Sequence, residues 1–238
     1  MQWNLKRVSS WLTDLFYPAR CPCCGEFIDW DRELCETCRQ WFEEKRGSCP
    51  RCGRTMGACL CTKESDWKGL YCLAPYEGAA KQGIFSLKNS EGKAFGLWCG
   101  RELGRLLIKD DTAVTADIIV PVPMRRSKRL ARGYNQAELI ARGIREVTGA
   151  ETDRDSLRKR PFVRDLTQHS LGAEKRFDNA DKMYIPGRVN RVRGKNVILC
   201  DDVLTTGATA SACTRLLKEM GAETVTLAVC AVTVYTTR

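Results

Sequence analysis

The 238-residue sequence contains no long apolar run, and this absence excludes two classes of protein. No segment approaches the roughly 20 apolar residues that a membrane-spanning helix needs. The N-terminal stretch is interrupted by Asn4, Lys6, Arg7 and Asp14, so it lacks the apolar core of about 7 to 15 residues that a secretory signal carries. We therefore expect a cytoplasmic protein that does not insert into membranes and keeps its cysteines reduced.

Two further absences restrict the kinds of phosphate-binding and catalytic site that this chain can contain. No Gly-Lys-Ser or Gly-Lys-Thr sequence follows a glycine turn, which excludes a Walker phosphate loop. His169 is the only histidine, and its polar, basic surroundings favour an exposed loop residue over a catalytic base. A phosphate site in this chain must therefore be of another kind.

Positive charge is concentrated in one segment. The formal net charge is +10, and residues 121–195 hold 19 Lys and Arg against 9 Asp and Glu, which accounts for the whole excess. Such a segment is typical of a face that binds phosphates or nucleic acid, and equally of a solvated surface around a loop. Few aromatic residues accompany these charges, so the signal for stacking on single-stranded nucleic acid is weak.

Nine of the fourteen cysteines lie between residues 21 and 61, a density that indicates a separate small module. Each Cys-x-x-Cys pair supplies two of the four sulfurs that tetrahedral zinc requires. Sequential pairing predicts one ion on Cys21, Cys24, Cys35 and Cys38, and a second on Cys49, Cys52, Cys59 and Cys61. Cys23 is an alternative to Cys24, and the shortened last pair leaves the total at one or two ions. Zinc surrounded by thiolates has no open position for water, so we expect a structural metal that the module needs to fold.

Residues 196–221 combine a strand, an acidic pair, a small-residue loop and a helix. The apolar run Val197 to Cys200 predicts a buried strand that ends at Asp201 and Asp202. Small residues at a helix start expose backbone N–H groups to a phosphate, and the helix dipole favours its negative charge. The hydroxyls that follow belong to Thr205, Thr206 and Thr209, while Gly207 permits a close turn and Ala208 adds little bulk.

The acidic pair has alternative interpretations. It can be a polar strand end with Thr209 as the helix N-cap, or a receiver-type phosphoacceptor site. Neither alternative explains why a Thr- and Gly-rich loop follows immediately. A site for ribose hydroxyls and a phosphate explains both features.

Strands and helices alternate from about residue 117 to the end, which predicts an α/β fold with a parallel sheet flanked by helices. Between Asp66 and about Lys109 we predict a strand, a turn and a helix. The stretch from Arg158 to Arg176 has no clear period and predicts a long loop. The predicted divisions are an amphipathic helix in residues 1–20, the cysteine module in 21–65 and the α/β domain in 66–238.

The run VILCDDVLTTGATASA resembles the phosphoribosylpyrophosphate-binding signature of type I phosphoribosyltransferases. Three further stretches, CPRCGR, DIIVPVPMRRSKRLARGYNQAELIAR and LTQHSLGAEKRFDNA, make nearly the whole chain similar to the ComF family. The resemblance implies a double zinc ribbon in front of a type I phosphoribosyltransferase-like sheet. Where the family usually carries a Lys-Tyr pair, Lys88 is followed by Asn89 here, so the local pocket is expected to differ.

The resemblance also implies roles for particular residues. Asp201 and Asp202 would hold the ribose hydroxyls, directly or through Mg²⁺, and Thr205, Thr206, Gly207, Ala208 and Thr209 would hold the 5′-phosphate. The pyrophosphate would meet a basic turn, and a loop would close over the substrate. The residues assigned to the turn are Arg125, Arg126, Arg129 and Arg132, those lining the pocket are Tyr134, Asn135 and Gln136, and those in the loop are Thr167, Gln168, Glu174, Lys175 and Arg176. Asp201, Asp202, Arg132 and Lys175 are the expected catalytic residues.

Three functions follow from this resemblance. The first is a phosphoribosyltransferase that uses phosphoribosylpyrophosphate (PRPP) with Mg²⁺ and an acceptor that no segment identifies. The second is a PRPP-binding protein without catalysis. The third is an interaction module of DNA uptake that contacts single-stranded DNA or a competence helicase.

Overall fold

A parallel β-sheet forms the centre of the computed structural model, which describes residues 18–45, 65–89, 92–109, 116–161, 180–187 and 190–233. The helices are α1 (Glu36–Glu44), α2 (Gly78–Lys88), α3 (Lys93–Lys109), α4 (Arg126–Arg132), α5 (Gln136–Thr148) and α6 (Ala208–Glu219). The strands are β1 (Gly69–Pro75), β2 (Ile118–Pro121), β3 (Glu151–Thr152), β4 (Leu157–Lys159), β5 (Tyr184–Pro186), β6 (Asn196–Leu204) and β7 (Thr224–Val232). Five strands join in the order β1-β7-β6-β2-β3, and every neighbouring pair is parallel.

The predicted α/β class is confirmed by this sheet. Strands β6 and β7 are central and mostly apolar, as expected of strands covered by helices on both faces. One face packs against α2, α3 and α5, and the other against α6 and the β4–β5 ribbon. Among the described residues no helix is both long enough and apolar enough to cross a bilayer.

The predicted strand β6 is confirmed with its acidic pair and continues to Leu204, because it stays paired with β7 as far as Val232. Two predictions about local structure are wrong. The loop predicted from Arg158 begins later, since β4 pairs with β5 through that residue. Two helices, α2 and α3, occupy the region where one was predicted. The predicted helix in residues 3–16 lies outside the described residues.

Helices α3 and α5 pack at unusually close range because glycines meet at their crossing. A Cβ atom on Gly143 would lie 2.4 Å from the Leu97 carbonyl oxygen and 2.8 Å from the Cα of Gly100. Any side chain here would push the helices apart. The contact fixes α5, and with it the turn that precedes α5, against the rest of the sheet.

The first half of the cysteine module shares a hydrophobic core with the α/β domain. Phe42 of α1 is almost fully buried, and its ring centroid lies 4.8 Å from that of Trp98 and 6.0 Å from that of Phe95. Arg101 of α3 forms ion pairs with both Glu33 and Glu146. The module is therefore anchored on α3, while the predicted domain bounds stay a prediction.

Candidate functional site

The acidic pair lies in the central strand of the sheet. Asp201 is opposite Val229 of β7, and its Oδ1 accepts a hydrogen bond of 2.8 Å from the backbone N–H of Asp202. Lys88, the last residue of α2, places its Nζ 3.3 Å from Oδ2 of Asp202. Two carboxylates and one ammonium group thus meet on β6 just beyond its last residue pair with β2, Pro121 and Cys200.

The pKa of the Asp201 carboxyl lies far above its ordinary value. Burial raises the pKa of this carboxyl from 3.8 to about 8, and the adjacent negative charge of Asp202 adds to the rise against the opposing effect of Lys88. The ligand-free carboxyl therefore holds its proton near neutrality. A cation or a set of hydroxyl donors at this position would favour the charged form.

This shift predicts a pH-dependent stability difference. The folded carboxyl keeps its proton up to about pH 8, whereas the unfolded one loses it near pH 4, so stability falls as pH rises through that window. An Asp201→Asn variant has no titrating carboxyl at this position. The melting temperature of the variant minus that of the wild type, measured without ligand, should increase from about pH 5 to about pH 8 and level off above. A difference that stays constant across this range would contradict the shifted pKa.

The loop after β6 leads into α6 through a glycine in the left-handed region. Gly207 has φ +84° and occupies the N-cap position of α6, which excludes the alternative that Thr209 is the cap. Thr206 Oγ1 accepts from the backbone N–H of Ala208 at 3.5 Å. Because an α-helix leaves its first N–H groups without helical partners, this short turn presents donors for an anion.

Buried polar contacts hold the basic turn between β2 and α5, and one of them reaches α2. Tyr134 donates its hydroxyl to the Leu87 carbonyl at 2.6 Å, and Asn135 Nδ2 donates to the Val122 carbonyl at 3.0 Å. Asn135 also caps α5. The two side chains, predicted to line the pocket, are thus engaged in holding the turn next to Lys88.

The arrangement of strands decides which predicted residues come together. Pro121 pairs with Cys200, so β2 ends beside the acidic pair, and the turn with Arg125 and Arg126 leaves from the same edge as the loop after β6. Arg129 is bound to Glu138 at 3.0 Å, and Arg132 closes α4. The predicted loop residues Thr167, Gln168, His169, Glu174, Lys175 and Arg176 lie outside the described residues.

Two contacts at this edge were not predicted from the sequence. One is the ion pair between Lys88 and Asp202. In the sequence, Lys88 was notable only because Asn89 follows it where the family usually carries tyrosine. The other is the approach of the Trp67 ring to Gly207: a Cβ atom added to Gly207 would lie 3.4 Å from this ring. Both residues are distant from the acidic pair in the chain, so no local pattern could have indicated them.

Four cysteines form a second candidate site, in the N-terminal module. The Sγ atoms of Cys21, Cys24, Cys35 and Cys38 all lie within 4.8 Å of one another. Tetrahedral zinc with Zn–S bonds of about 2.3 Å places its sulfurs about 3.8 Å apart, so the cluster fits the ion. The other predicted set, Cys49, Cys52, Cys59 and Cys61, lies outside the described residues.

Local structure explains why these thiols suit a metal. Burial alone would raise the pKa of Cys21, but backbone N–H groups of Cys35, Cys23 and Cys24 lower it to about 7. Cys35 is the N-cap of α1, and its Sγ accepts from the N–H of Cys38 at 3.4 Å. Burial and the charge of Cys21 raise the pKa of Cys23, which lies outside the cluster. The cluster thus contains Cys24 rather than the alternative Cys23.

Comparison with known proteins matches two stretches of the chain to family models. Residues 12–74 match the double zinc ribbon domain, and residues 166–234 match the phosphoribosyl transferase domain. Competence protein F of Haemophilus influenzae is 26% identical over 226 residues, which cover 87% of this chain and 94% of that protein. The chain is a ComF homologue. The zinc ribbon match and the four clustered cysteines together indicate zinc.

Other relatives of this ComF homologue are a DNA utilization protein and a second competence protein. The DNA utilization protein YhgH of Escherichia coli is 27% identical over 209 residues, covering 81% of this chain and 87% of that protein. Competence protein ComFC of Bacillus subtilis is 24% identical over 212 residues, covering 80% of each chain.

Solved structures match only part of the ComF homologue. Glutamine PRPP amidotransferase from B. subtilis, complexed with ADP and GMP, is 25% identical with a TM-score of 0.37 and covers 55% of this chain. The match covers 26% of that enzyme's chain. A purine phosphoribosyltransferase from Pyrococcus horikoshii is 15% identical, covers 57% of this chain and 74% of that one, and has a TM-score of 0.36. The parallel strand order β1-β7-β6-β2-β3 defines the fold independently of these partial matches.

Proposed function

We propose that this ComF homologue binds PRPP with Mg²⁺ at the edge of the sheet where β2 and β6 end, and transfers its phosphoribosyl group to an acceptor. The observation that carries the proposal is the order of groups along this edge. Two carboxylates, Asp201 and Asp202, come before the start of α6, where Gly207 adopts the left-handed region. The basic turn follows the neighbouring strand, β2. This order suits ribose hydroxyls, a 5′-phosphate and a pyrophosphate respectively.

The residues of the edge suit the charges that the reaction moves. When the bond between ribose C1 and pyrophosphate breaks, positive charge develops on the ring and negative charge on the leaving group. The guanidinium groups of Arg125, Arg126 and Arg132 would stabilise the departing anion. Asp201 and Asp202 would orient the ring by accepting hydrogen bonds from its hydroxyls. Lys175, in the predicted closing loop, would add positive charge and help exclude water.

Magnesium fits the same carboxylates, since it prefers oxygen ligands and is usually held by one or two carboxylates together with substrate phosphates. Asp201 and Asp202 would hold it, and its charge would help neutralise the pyrophosphate. Binding would displace Lys88 from Asp202, because both positive charges compete for one carboxylate. Lys88 is partly exposed, with 40% of its side chain accessible, so it is free to turn toward the pyrophosphate.

Transfer is tested by pyrophosphate release. Zinc-loaded protein with PRPP and Mg²⁺ should release pyrophosphate in the presence of one member of a panel of purines, pyrimidines and simple amines. An Asp201→Asn, Asp202→Asn double variant should show only the background rate. Wild-type binding of PRPP without release across the whole panel would instead support a PRPP-binding protein that performs no transfer.

A second candidate function is an interaction with single-stranded DNA or a competence helicase during DNA uptake. The names of the relatives, which include competence and DNA utilization proteins, favour it, and so does the basic segment of residues 121–195. Lysines and arginines that contact DNA phosphates release counterions, so the affinity depends steeply on salt.

For this candidate we expect weak binding to oligothymidine at low salt. A plot of log affinity against log salt concentration should be linear, with a slope of about −0.7 for each phosphate neutralised. Fluorescence anisotropy of a labelled oligonucleotide measures both quantities. Absence of binding at low salt would mean that the basic segment serves small phosphates alone.

A further inference from the structure

Helix α2 extends from the cysteine module to the acidic pair of the proposed PRPP site. Its first residue, Gly78, lies against Trp41 of α1, and its last residue, Lys88, places Nζ 3.3 Å from Asp202. Its 11 residues span about 16 Å, at the usual rise of an α-helix. One short helix therefore has the N-terminal module at one end and the candidate site at the other.

The contact between Trp41 and Gly78 leaves no room for a side chain at the start of α2. A Cβ atom added to Gly78 would lie 2.8 Å from Cζ2 of the indole and 3.0 Å from Cε2, both shorter than an ordinary carbon–carbon contact. Gly78 has φ +45°, a conformation that favours glycine. Lys45 adds an ion pair of 3.8 Å with Glu77, the N-cap residue of α2. The start of α2 is thus fixed by α1 and the residue that follows it.

The middle of α2 packs against the same aromatic group that receives α1. The Phe95 ring approaches Gly83 so closely that a Cβ atom there would lie 2.5 Å from Cζ of the ring. Phe95 in turn lies 6.0 Å from Phe42, and Phe42 contacts Trp41 edge to face at 5.2 Å, measured between ring centroids. Close-packed interiors have few voids and transmit displacement. A change in the position of Trp41 therefore reaches α2 at two points along its length.

The last turn of α2 carries two groups that act at the candidate site. The backbone carbonyl of Leu87 accepts the hydrogen bond of 2.6 Å from the Tyr134 hydroxyl, which holds the basic turn. Lys88 supplies the ammonium group that pairs with Asp202. A displacement of α2 would therefore move a backbone acceptor and a cation of the site together.

We propose that Trp41 is a positioning residue of the PRPP site, which acts through α2 on Lys88 and on the hydrogen bond of Tyr134. This inference rests on the proposed function, since it concerns the geometry of the same edge of the sheet. Trp41 lies within the double zinc ribbon match, residues 12–74, and outside the phosphoribosyl transferase match, residues 166–234. The cysteine module thereby takes part in small-molecule binding without touching the ligand.

Replacing Trp41 with alanine in the zinc-loaded protein tests the proposal by titration calorimetry with PRPP and Mg²⁺. The affinity for PRPP should fall about tenfold, because the charge-assisted contact of Lys88 is misplaced, while the zinc content stays that of the wild type. Trp41→Phe should stay within about threefold of wild type, since its ring still covers Gly78. Trp30→Ala is the matched control, because this tryptophan of the same module is 70% exposed, and its affinity should stay within about twofold of wild type.

Gly78→Ala disturbs the same contact from the other side and leaves every residue of the cysteine module unchanged. It should weaken PRPP binding to a similar extent with full zinc content, which separates a positioning effect from damage to the module. A substitution that only destabilised the protein would act independently of Lys88. In a Lys88→Met background the loss caused by Trp41→Ala should instead be at least about threefold smaller, because residues that act through one another are not additive.

Hydrogen exchange of the backbone amides of Leu87 and Lys88 measures the position of α2 without a ligand. Both amides should exchange faster in Trp41→Ala and Gly78→Ala than in the wild type and Trp30→Ala. Unchanged exchange, or PRPP affinities within about twofold of wild type in both variants, would overturn the positioning role. Absence of PRPP binding to the wild type would overturn the proposed function and this inference with it, a result distinct from wild-type binding that the variants leave unchanged.

Discussion

Replacing Cys38 with serine should remove one zinc ion per chain and destabilise the protein by on the order of 4 kcal/mol, because metal loss belongs to the few changes with effects of that size. The thiol is buried in the four-cysteine cluster, and Cys38 lies in the first turn of the helix that carries Phe42. Without the metal, Phe42 is no longer held against Phe95 and Trp98. The melting temperature should fall by roughly 8 to 16 °C.

Cys23→Ala is the control for this experiment, since Cys23 is a buried cysteine of the same module outside the cluster. It should keep the full zinc content and lose only about 1 kcal/mol. Zinc is measured by elemental analysis of protein purified without added metal, and stability by calorimetry. Equal zinc content in wild type and the Cys38 variant would contradict the assignment of the first site. The wild type should contain one to two equivalents, according to whether the last two cysteine pairs also bind an ion.

The Asp201→Asn, Asp202→Asn double variant should weaken PRPP binding by roughly 1 to 3 kcal/mol, the range for losing charged hydrogen-bond partners. The fold should survive, because the asparagine side chains keep the shape of the strand and remove the cost of keeping the buried Asp201 carboxyl protonated at neutral pH. A more stable but weaker-binding variant is the expected combination when a strained site serves a ligand. Titration calorimetry with Mg²⁺ measures the binding, and thermal unfolding measures the stability.

Asp155→Asn is the matched control, since Asp155 is exposed and lies outside the candidate site. Its affinity for PRPP should equal that of the wild type. A Thr209→Phe variant tests the phosphate loop separately, because a bulky ring beside the start of α6 should obstruct the 5′-phosphate. Unchanged affinity in both the double variant and the Thr209 variant would place the ligand elsewhere.

The sequence was sufficient to predict elements whose pattern is local. The apolar run before Asp201 predicted β6, and the alternation that follows predicted α6 and β7, because strands buried on both faces need continuous apolar residues. The last residue of β6, Leu204, was not predicted. The length of β6 depends on β7, because the two strands stay paired beyond Asp202 up to Leu204 of β6 and Val232 of β7. The sequence of one strand does not show how far its partner continues.

Contacts between distant segments could not be predicted in this way. Lys88 is more than a hundred residues from Asp202, and only the packing of α2 on the sheet brings its ammonium group to the carboxylate. The four cysteines, by contrast, were identified from spacing, since two knuckles fix their own sulfur positions.

Calorimetric titration of the zinc-loaded wild-type chain with PRPP and Mg²⁺ tests the central claim most directly, because it examines the site without requiring knowledge of the acceptor. We predict saturable binding of one PRPP per chain that depends on Mg²⁺ and is lost or strongly weakened in the Asp201→Asn, Asp202→Asn variant. Absence of binding to the wild type, or binding of equal strength in wild type and variant, would contradict the assignment of this edge of the sheet as a PRPP site.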